Sequence, residues 1–323
     1  LGDAFLPLTE DVASSLFYNP AGLAKVRSTQ IEPLNFSAYG NSQYAAGAGS
    51  NFYQVTSLSS YLSSLQSQSG EMAGVGGAVL PNFGFPGFGI GLLAQSELAA
   101  KANADGTVSY RSLYQLIPAV GFGFRLLSGG IRFGYSLQWV NQALGSRTQS
   151  SDGDLGYNQS LDQGSGFSHT LGLALTAPIK MLPSLNFVVR NAFDTQYNSS
   201  SIWSFTNNPS GTPGMDPMTV DASFSIQPRI GQGSVMNLVI QNRDITNRSG
   251  MAFVGHFALG MELCFRDAFF LRGGWGSGYP SAGLGLKRKG GEFNLTWYTQ
   301  ELGTQYLEQG DTRFMFQYQI RNF

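Results

Sequence analysis

Ile131-Arg132-Phe133-Gly134-Tyr135-Ser136-Leu137-Gln138-Trp139 changes character at every residue. The odd-numbered side chains are apolar or aromatic, and the even-numbered ones are polar or absent. A β-strand sends successive side chains to opposite faces, so this stretch has one greasy face and one polar face. The same two-residue period returns at Met218, Val220, Ala222, Phe224 and Ile226, and again at Phe257, Leu259, Met261, Leu263 and Phe265. Repeated along a chain, this pattern predicts an antiparallel barrel whose outer surface meets lipid. It places Leu137, Phe224 and Leu259 in lipid and Gln138, Ser223 and Glu262 inside.

Composition agrees. Charged residues make up 12% of the 323, against about 25% in soluble domains. Glycine occurs 42 times and aromatics reach 13%. No apolar run approaches the roughly 18 residues a membrane helix requires. A barrel satisfies its backbone between strands instead. A secreted β-sandwich or β-helix is the weaker all-β alternative.

The net charge of -1 and the absence of a basic stripe argue against nucleic acid as a partner. The single Cys264 has no partner for an internal disulfide and reads as a packed residue. Export of a barrel implies a signal peptide already removed from this sequence.

Residues 1–27 do not alternate. A short helix is expected from Thr9, as its cap, to Phe17, broken at Asn19-Pro20-Ala21-Gly22-Leu23. The barrel then occupies 28–323. Its strands are expected near 28–40, 72–84, 87–101, 108–125, 131–143, 166–177, 185–193, 217–229, 234–243, 256–266, 269–277, 281–288, 292–300 and 312–321, about fourteen in all. Short turns alternate with longer loops such as 144–165, 194–216, 244–255 and 301–311. That alternation puts both termini on the short-turn, periplasmic side. The insertion at about 42–71 falls on the outer side. Within it, Val55, Leu58, Tyr61, Leu62 and Leu65 recur at helical spacing and predict an amphipathic helix, 52–66, almost without charge.

The inward phase is rich in glycine: Gly89, Gly91, Gly121, Gly123, Gly134, Gly172, Gly260, Gly283 and Gly285. Strand glycines mark bends or the close approach of another backbone. The only segment available inside is 1–27, which therefore reads as a plug, with Asp11, Tyr18, Asn19, Pro20 and Gly22 in the lumen. The inward charges Arg111, Arg125, Arg132, Arg190, Asp221, Glu262, Arg272 and Glu292 mix both signs, which suggests mutual pairing more than an ion-selective ring.

Ser14-Ser15-Leu16-Phe17-Tyr18-Asn19-Pro20-Ala21-Gly22-Leu23-Ala24 resembles the N-terminal hatch of the FadL-like superfamily of long-chain fatty acid transporters and hydrophobic-compound channels. The resemblance implies fourteen strands, an N-terminal segment inside the lumen, and passive movement of hydrophobic molecules from outside to an opening in the wall. This chain is shorter than is usual there, with modest outer loops. Phe323 resembles the terminal aromatic read by barrel-assembly machinery, although Phe314, Phe316, Tyr318 and Ile320 are out of phase with it, which predicts a bulge or a loose end.

An enzyme is not expected. His169 and His256 are the only histidines, and both read as solvated residues near the outer rim. No Cys/His cluster suggests a metal, and no cofactor is implied. Two functions stay open. One is passive handling of a hydrophobic small molecule or lipid. The other is a non-transporting barrel that forms homo-oligomers or retains membrane lipids, to which the uncharged 52–66 helix would contribute.

Overall fold

The computed structural model describes residues 1–41, 72–150, 161–250, 252–301, 307 and 310–322. The insertion 42–71, with Val55, Leu58, Tyr61, Leu62 and Leu65, lies outside the described residues, as do 151–160 and Phe323.

The alternating segments form a closed antiparallel barrel of fourteen strands. The ladder runs β1 (Gln30–Asn41), β2 (Met72–Val79), β3 (Asn82–Phe85), β4 (Phe88–Ala102), β5 (Thr107–Leu126), β6 (Ile131–Ser150), β7 (Leu161–Thr176), β8 (Ser184–Arg190) and β9 (Thr219–Ile226). It continues with β10 (Arg229–Gly231), β11 (Ser234–Asn242), β12 (Phe257–Phe265), β13 (Phe269–Gly276), β14 (Tyr279–Arg288), β15 (Gly291–Glu301) and β16 (Gly310–Asn322). Two of these segments are continuations. β3 prolongs β2 beyond Leu80-Pro81, and β10 prolongs β9 beyond Gln227-Pro228. Closure comes from β1 pairing with β16, Ile31 lying opposite Asn322. Each expected strand is present.

The phase is the expected one. Phe224 and Leu259 are 44% and 46% exposed on the outer surface, whereas Ser223 and Glu262 are buried. The irregularity expected before Phe323 falls outside the described residues, and a separate one sits on β1. The β1–β16 register shifts between Ile31 and Leu34, at Pro33, which has no N–H to donate. On its other side β16 pairs with β15 without interruption from Gly291–Ile320 to Glu301–Gly310.

Wall height is uneven. β5 and β6 each have 20 residues, whereas β8 has 7 and β9 has 8. Twenty residues span roughly 66 Å at about 3.3 Å each, far more than the apolar band of roughly 25 Å. The tall wall therefore projects beyond the membrane at the long-loop end. There β6 runs on to Ser150, paired with β5 and β7, through residues whose sequence reads as loop. Outside lipid, outward residues need not be apolar, so the alternation fades while the ladder continues. Part of the 191–218 connection packs on this projection. The Ile202 amide donates to Asn141 Oδ1 at 2.6 Å, and Phe205 stacks on Tyr114 at 6.0 Å.

Candidate functional site

Residues 1–26 pack against inward positions of the wall. A 3-10 turn at Leu6–Leu8 leads to helix α1 (Val12–Phe17), then to a 3-10 turn at Pro20–Lys25. The cap of α1 is Asp11, whose carboxylate accepts the Ser14 amide at 2.6 Å. Thr9, expected in that role, instead donates to the Leu6 carbonyl at 3.2 Å. The reason is position: Asp11 precedes the first helical residue, where an acceptor side chain meets a free amide. Asn19 caps the next turn by accepting the Ala21 amide at 3.1 Å, and Pro20 stands first in it, where no N–H is needed.

Val12, Leu16, Leu23 and Val26 form an apolar cluster with Ala119 of β5, flanked by Phe17. The wall admits them because its inward residues there are small. A Cβ on Gly121 would come within 2.8 Å of Leu23 and 2.9 Å of Leu16. A Cβ on Gly134 would collide with the Pro20 carbonyl, and one on Gly172 with the Asn19 side chain. Gly89, Gly91, Gly123 and Gly260 also face residues of this segment. Gly283 and Gly285 differ, being hemmed in by Leu295, Asn294 and Arg272 of the wall itself. Gly22 serves a contact within the segment, crossing close to Ser15 and Thr9.

Polar bonds reach the wall on several sides. Ser136 and Gln138 of β6 donate to the Leu16 carbonyl at 2.8 and 3.0 Å, and Arg190 of β8 donates to the Phe17 carbonyl at 3.0 Å. These carbonyls end α1 and have no partner within it. Gln241 of β11 accepts the Phe5 and Leu6 amides at 3.1 and 3.2 Å. Ser281 of β14 accepts the Gly2 amide at 2.8 Å. On β16, Arg321 lies 3.2 Å from Asp11 and 2.5 Å from the fully buried Glu32 of β1.

The inward charges are paired in part. Arg190 meets Asp221 at 2.8 Å, and Arg272 meets Glu262 at 2.7 Å and Glu292 at 3.8 Å. Arg132 donates to Thr176 at 2.6 Å. Arg111 and Arg125, expected to pair inside, are exposed, because they lie toward the two rims. The sequence reading missed a further cluster. Arg313 is 2% exposed, bonded to Asp311 at 2.6 Å and Glu97 at 2.9 Å, with Tyr39 beneath its guanidinium at 4.5 Å. Its signal was available, since Arg313 and Arg321 share the phase of Gln317 and Gln319, opposite Phe316 and Tyr318.

Tyr18 sits at the end of α1, with Phe5 edge-on at 5.6 Å and Arg190 over its ring at 5.7 Å. It is 42% accessible, with its ring set among protein groups. Desolvation by the surrounding protein, with Asp3 nearby, raises its phenol to about 12, while Arg190 acts in the opposite sense. Toward the long-loop end, inward positions on β4–β6 form two apolar pairs, Leu93 with Ile117 and Leu113 with Leu144, separated by a ladder in which Gln95 donates to Gln115 at 2.5 Å and Gln115 donates to Gln142 at 2.8 Å. Val140 and Ile117 are buried among them.

The histidines are engaged elsewhere. His169 lies on the lipid-facing side, 2.8 Å from the Tyr135 hydroxyl. His256 is bonded through Nδ1 to the Arg243 carbonyl at 2.7 Å. Among the described residues no group of His, Cys, Asp and Glu is placed to hold a metal.

No protein-family model matches this sequence, and no curated protein is similar to it. Solved structures are similar in fold. The P. putida toluene transporter TodX aligns over 96% of this chain and 94% of its own, with a TM-score of 0.56 and 12% identity. The CymD monoaromatic hydrocarbon channel aligns over 97% and 93%, with a TM-score of 0.52 and 9% identity. The barrel described above thus has the fold of FadL-type hydrocarbon transporters.

Proposed function

We propose that this protein is an outer-membrane channel for small hydrophobic molecules, with residues 1–27 as a plug in its lumen. One observation carries the reading: the lumen is unlike a water-filled ion pore. Its inward surface on β4–β6 carries the apolar side chains Leu93, Ile117, Val140, Leu113 and Leu144, above the Leu16 and Phe17 cluster, and the amides between them, Gln95, Gln115 and Gln142, are uncharged and bonded to one another. Such a surface favours entry of an apolar solute by removing its area from water, at about 25 cal/mol per Å². The shared fold with toluene and monoaromatic hydrocarbon channels supports the same class of cargo. Movement is passive, down the concentration gradient. The short-turn end, with both termini, faces the periplasm.

The plug reading rests on contacts distributed around the wall, from β4–β8 through β11 to β14 and β16. Its glycine-lined seat has no room for side chains. The test is uptake of radiolabelled toluene by a Gram-negative host whose own channel is deleted. Expression of this protein should accelerate initial uptake, and substituting Leu93 and Ile117 with Asp should reverse the gain. Uptake equal to the empty host, with correctly assembled protein, overturns the proposal. Deletion of 1–27 should raise single-channel conductance in a planar bilayer, and unchanged conductance counts against the plug.

A further inference from the structure

The net charge of -1 conceals a segregation. At the short-turn end of the barrel Arg27, Arg125, Lys180, Arg229, Arg266, Arg288 and Lys289 are all exposed. They come from the start of β1 and from the β5–β6, β7–β8, β9–β11, β12–β13 and β14–β15 turns. Only the Pro86-Gly87 turn lacks a cation. Among the described residues none of these seven is in an ion pair. The exposed carboxylates at this end, Asp267 and Glu10, already face other cations, Lys287 at 3.1 Å and Lys25 at 3.6 Å. Toward the opposite end, Arg248 and Arg313 are held by Asp194 and by Asp311 with Glu97.

Four of the seven cations also have exposed aliphatic neighbours. Ile179 and Met181 flank Lys180 and are 62% and 48% exposed; Ile230 follows Arg229 at 49%. Leu126 and Leu127 follow Arg125, at 54% and 78%, and Leu286 precedes Arg288 at 54%. On β5 and β10 the aliphatic neighbours Leu126 and Ile230 take the lipid-facing phase, while Arg125 and Arg229 leave the strand ends at the rim, where a long side chain can extend its charged head to the headgroups.

We infer that this ring binds the phosphate groups of anionic phospholipids in the leaflet that surrounds the short-turn end. The geometry favours a lipid over an acidic protein. The cations are spread around the circumference at one level, one or two per turn, instead of gathering on one side as a protein footprint would. A phospholipid layer presents phosphate at that level around the whole ring, and its negative surface potential attracts basic residues within about a Debye length. The inference is independent of what crosses the lumen.

The test is lipid selectivity in reconstituted vesicles of phosphatidylcholine with 20% phosphatidylglycerol, chosen here as about one anionic lipid in five to give a moderate surface potential. Electron spin resonance of spin-labelled phosphatidylglycerol and phosphatidylcholine reports their relative occupancy of the shell around the barrel. Phosphatidylglycerol should be favoured by about fivefold at ring sites, the equivalent of roughly 1 kcal/mol for each cation at an anionic surface. The preference should shrink in 1 M salt, where screening shortens to about 3 Å. It should be lost in the variant R27Q/R125Q/K180Q/R229Q/R266Q/R288Q/K289Q. The corresponding Arg-to-Lys variant, which keeps the charge, should retain it. A control variant, K101Q/R111Q/R147Q at the other end, should also retain it. Equal occupancy by the two lipids around wild type overturns the inference. So does a preference that survives neutralisation of the ring or disappears in the control. Loss of an acidic protein partner with unchanged lipid occupancy would assign the ring to that partner and overturn the lipid reading.

Discussion

Arg321→Met would leave three carboxylates without the cation on which they converge. Glu32 is fully buried and lies 2.5 Å from Nε; Asp11 is 3.2 Å from Nη2, and Glu292 is 4.0 Å from Nη1. The Glu32 contact is ionic without hydrogen-bond alignment, since neither Arg321 Nε nor Glu32 Oε1 has a hydrogen-bond partner. Glu32 keeps the donor Asn82 at 2.9 Å. Breaking a buried pair by removing one partner costs about 3–5 kcal/mol, because a charge is left behind in a poor solvent. Glu32 and Glu292 are fixed in strands and cannot move to water. Asp11 can, because it belongs to the segment packed inside the wall. The strain should therefore be relieved by undocking that segment while the barrel stays closed. A cysteine at Ser15, fully buried in the docked state, should react with a water-soluble maleimide at least tenfold faster in R321M. Single-channel conductance should rise in parallel. Asp11→Asn in the same background should restore slow labelling, because Asn still caps α1 and brings no charge. Unchanged labelling and conductance in folded R321M would refute the idea that this cluster holds the segment. Failure of D11N to rescue would show that the release has another cause.

Gly134→Ala places a methyl against the Pro20 carbonyl, so it should raise conductance in planar bilayers while the barrel keeps its heat-modifiable mobility on gels. Phe224→Arg, if near the midplane, should destabilise by about 2–4 kcal/mol in a lipid-vesicle unfolding titration, whereas Ser223→Arg, on the inward side, should cost less; equal losses would break the assigned phase. Burial lowers the pKa of Lys25, with Glu10 opposing that effect. Its native form therefore binds protons less readily than the unfolded chain, and its contribution to stability improves as pH rises toward the ordinary lysine value. Lys25→Met should accordingly be neutral or stabilising at pH 7 and should flatten that pH dependence in thermal melts; a loss above about 1 kcal/mol would mean that the bonds to Pro7 and Glu10 outweigh the burial.

Strand phase was legible because lipid imposes a demand on every outward side chain. Met218–Ile226 and Phe257–Phe265 satisfy it residue by residue, and the structure keeps their faces. The glycines of the inward phase were equally legible as a class, but not singly. Gly134 and Gly283 look alike in sequence. One faces Pro20 across the lumen, the other its own neighbours in the wall, and only the folded barrel separates them. The cap of α1 was misplaced by two residues, since Thr9 and Asp11 can each accept an amide and the choice depends on where the helix begins.

The sequence by itself determined the barrel, its approximate strand number, the lipid-facing residues and the singularity of residues 1–27. All of these follow from a local period of two and its interruption. Tertiary structure alone decided which residues meet across the lumen. Arg321 and Asp11 are 310 positions apart, and no local pattern couples them. Tertiary structure also decided the height of the β5–β7 wall. Beyond the membrane, ladder hydrogen bonds hold a strand together without an apolar face, and the sequence loses the signal by which the rest was read.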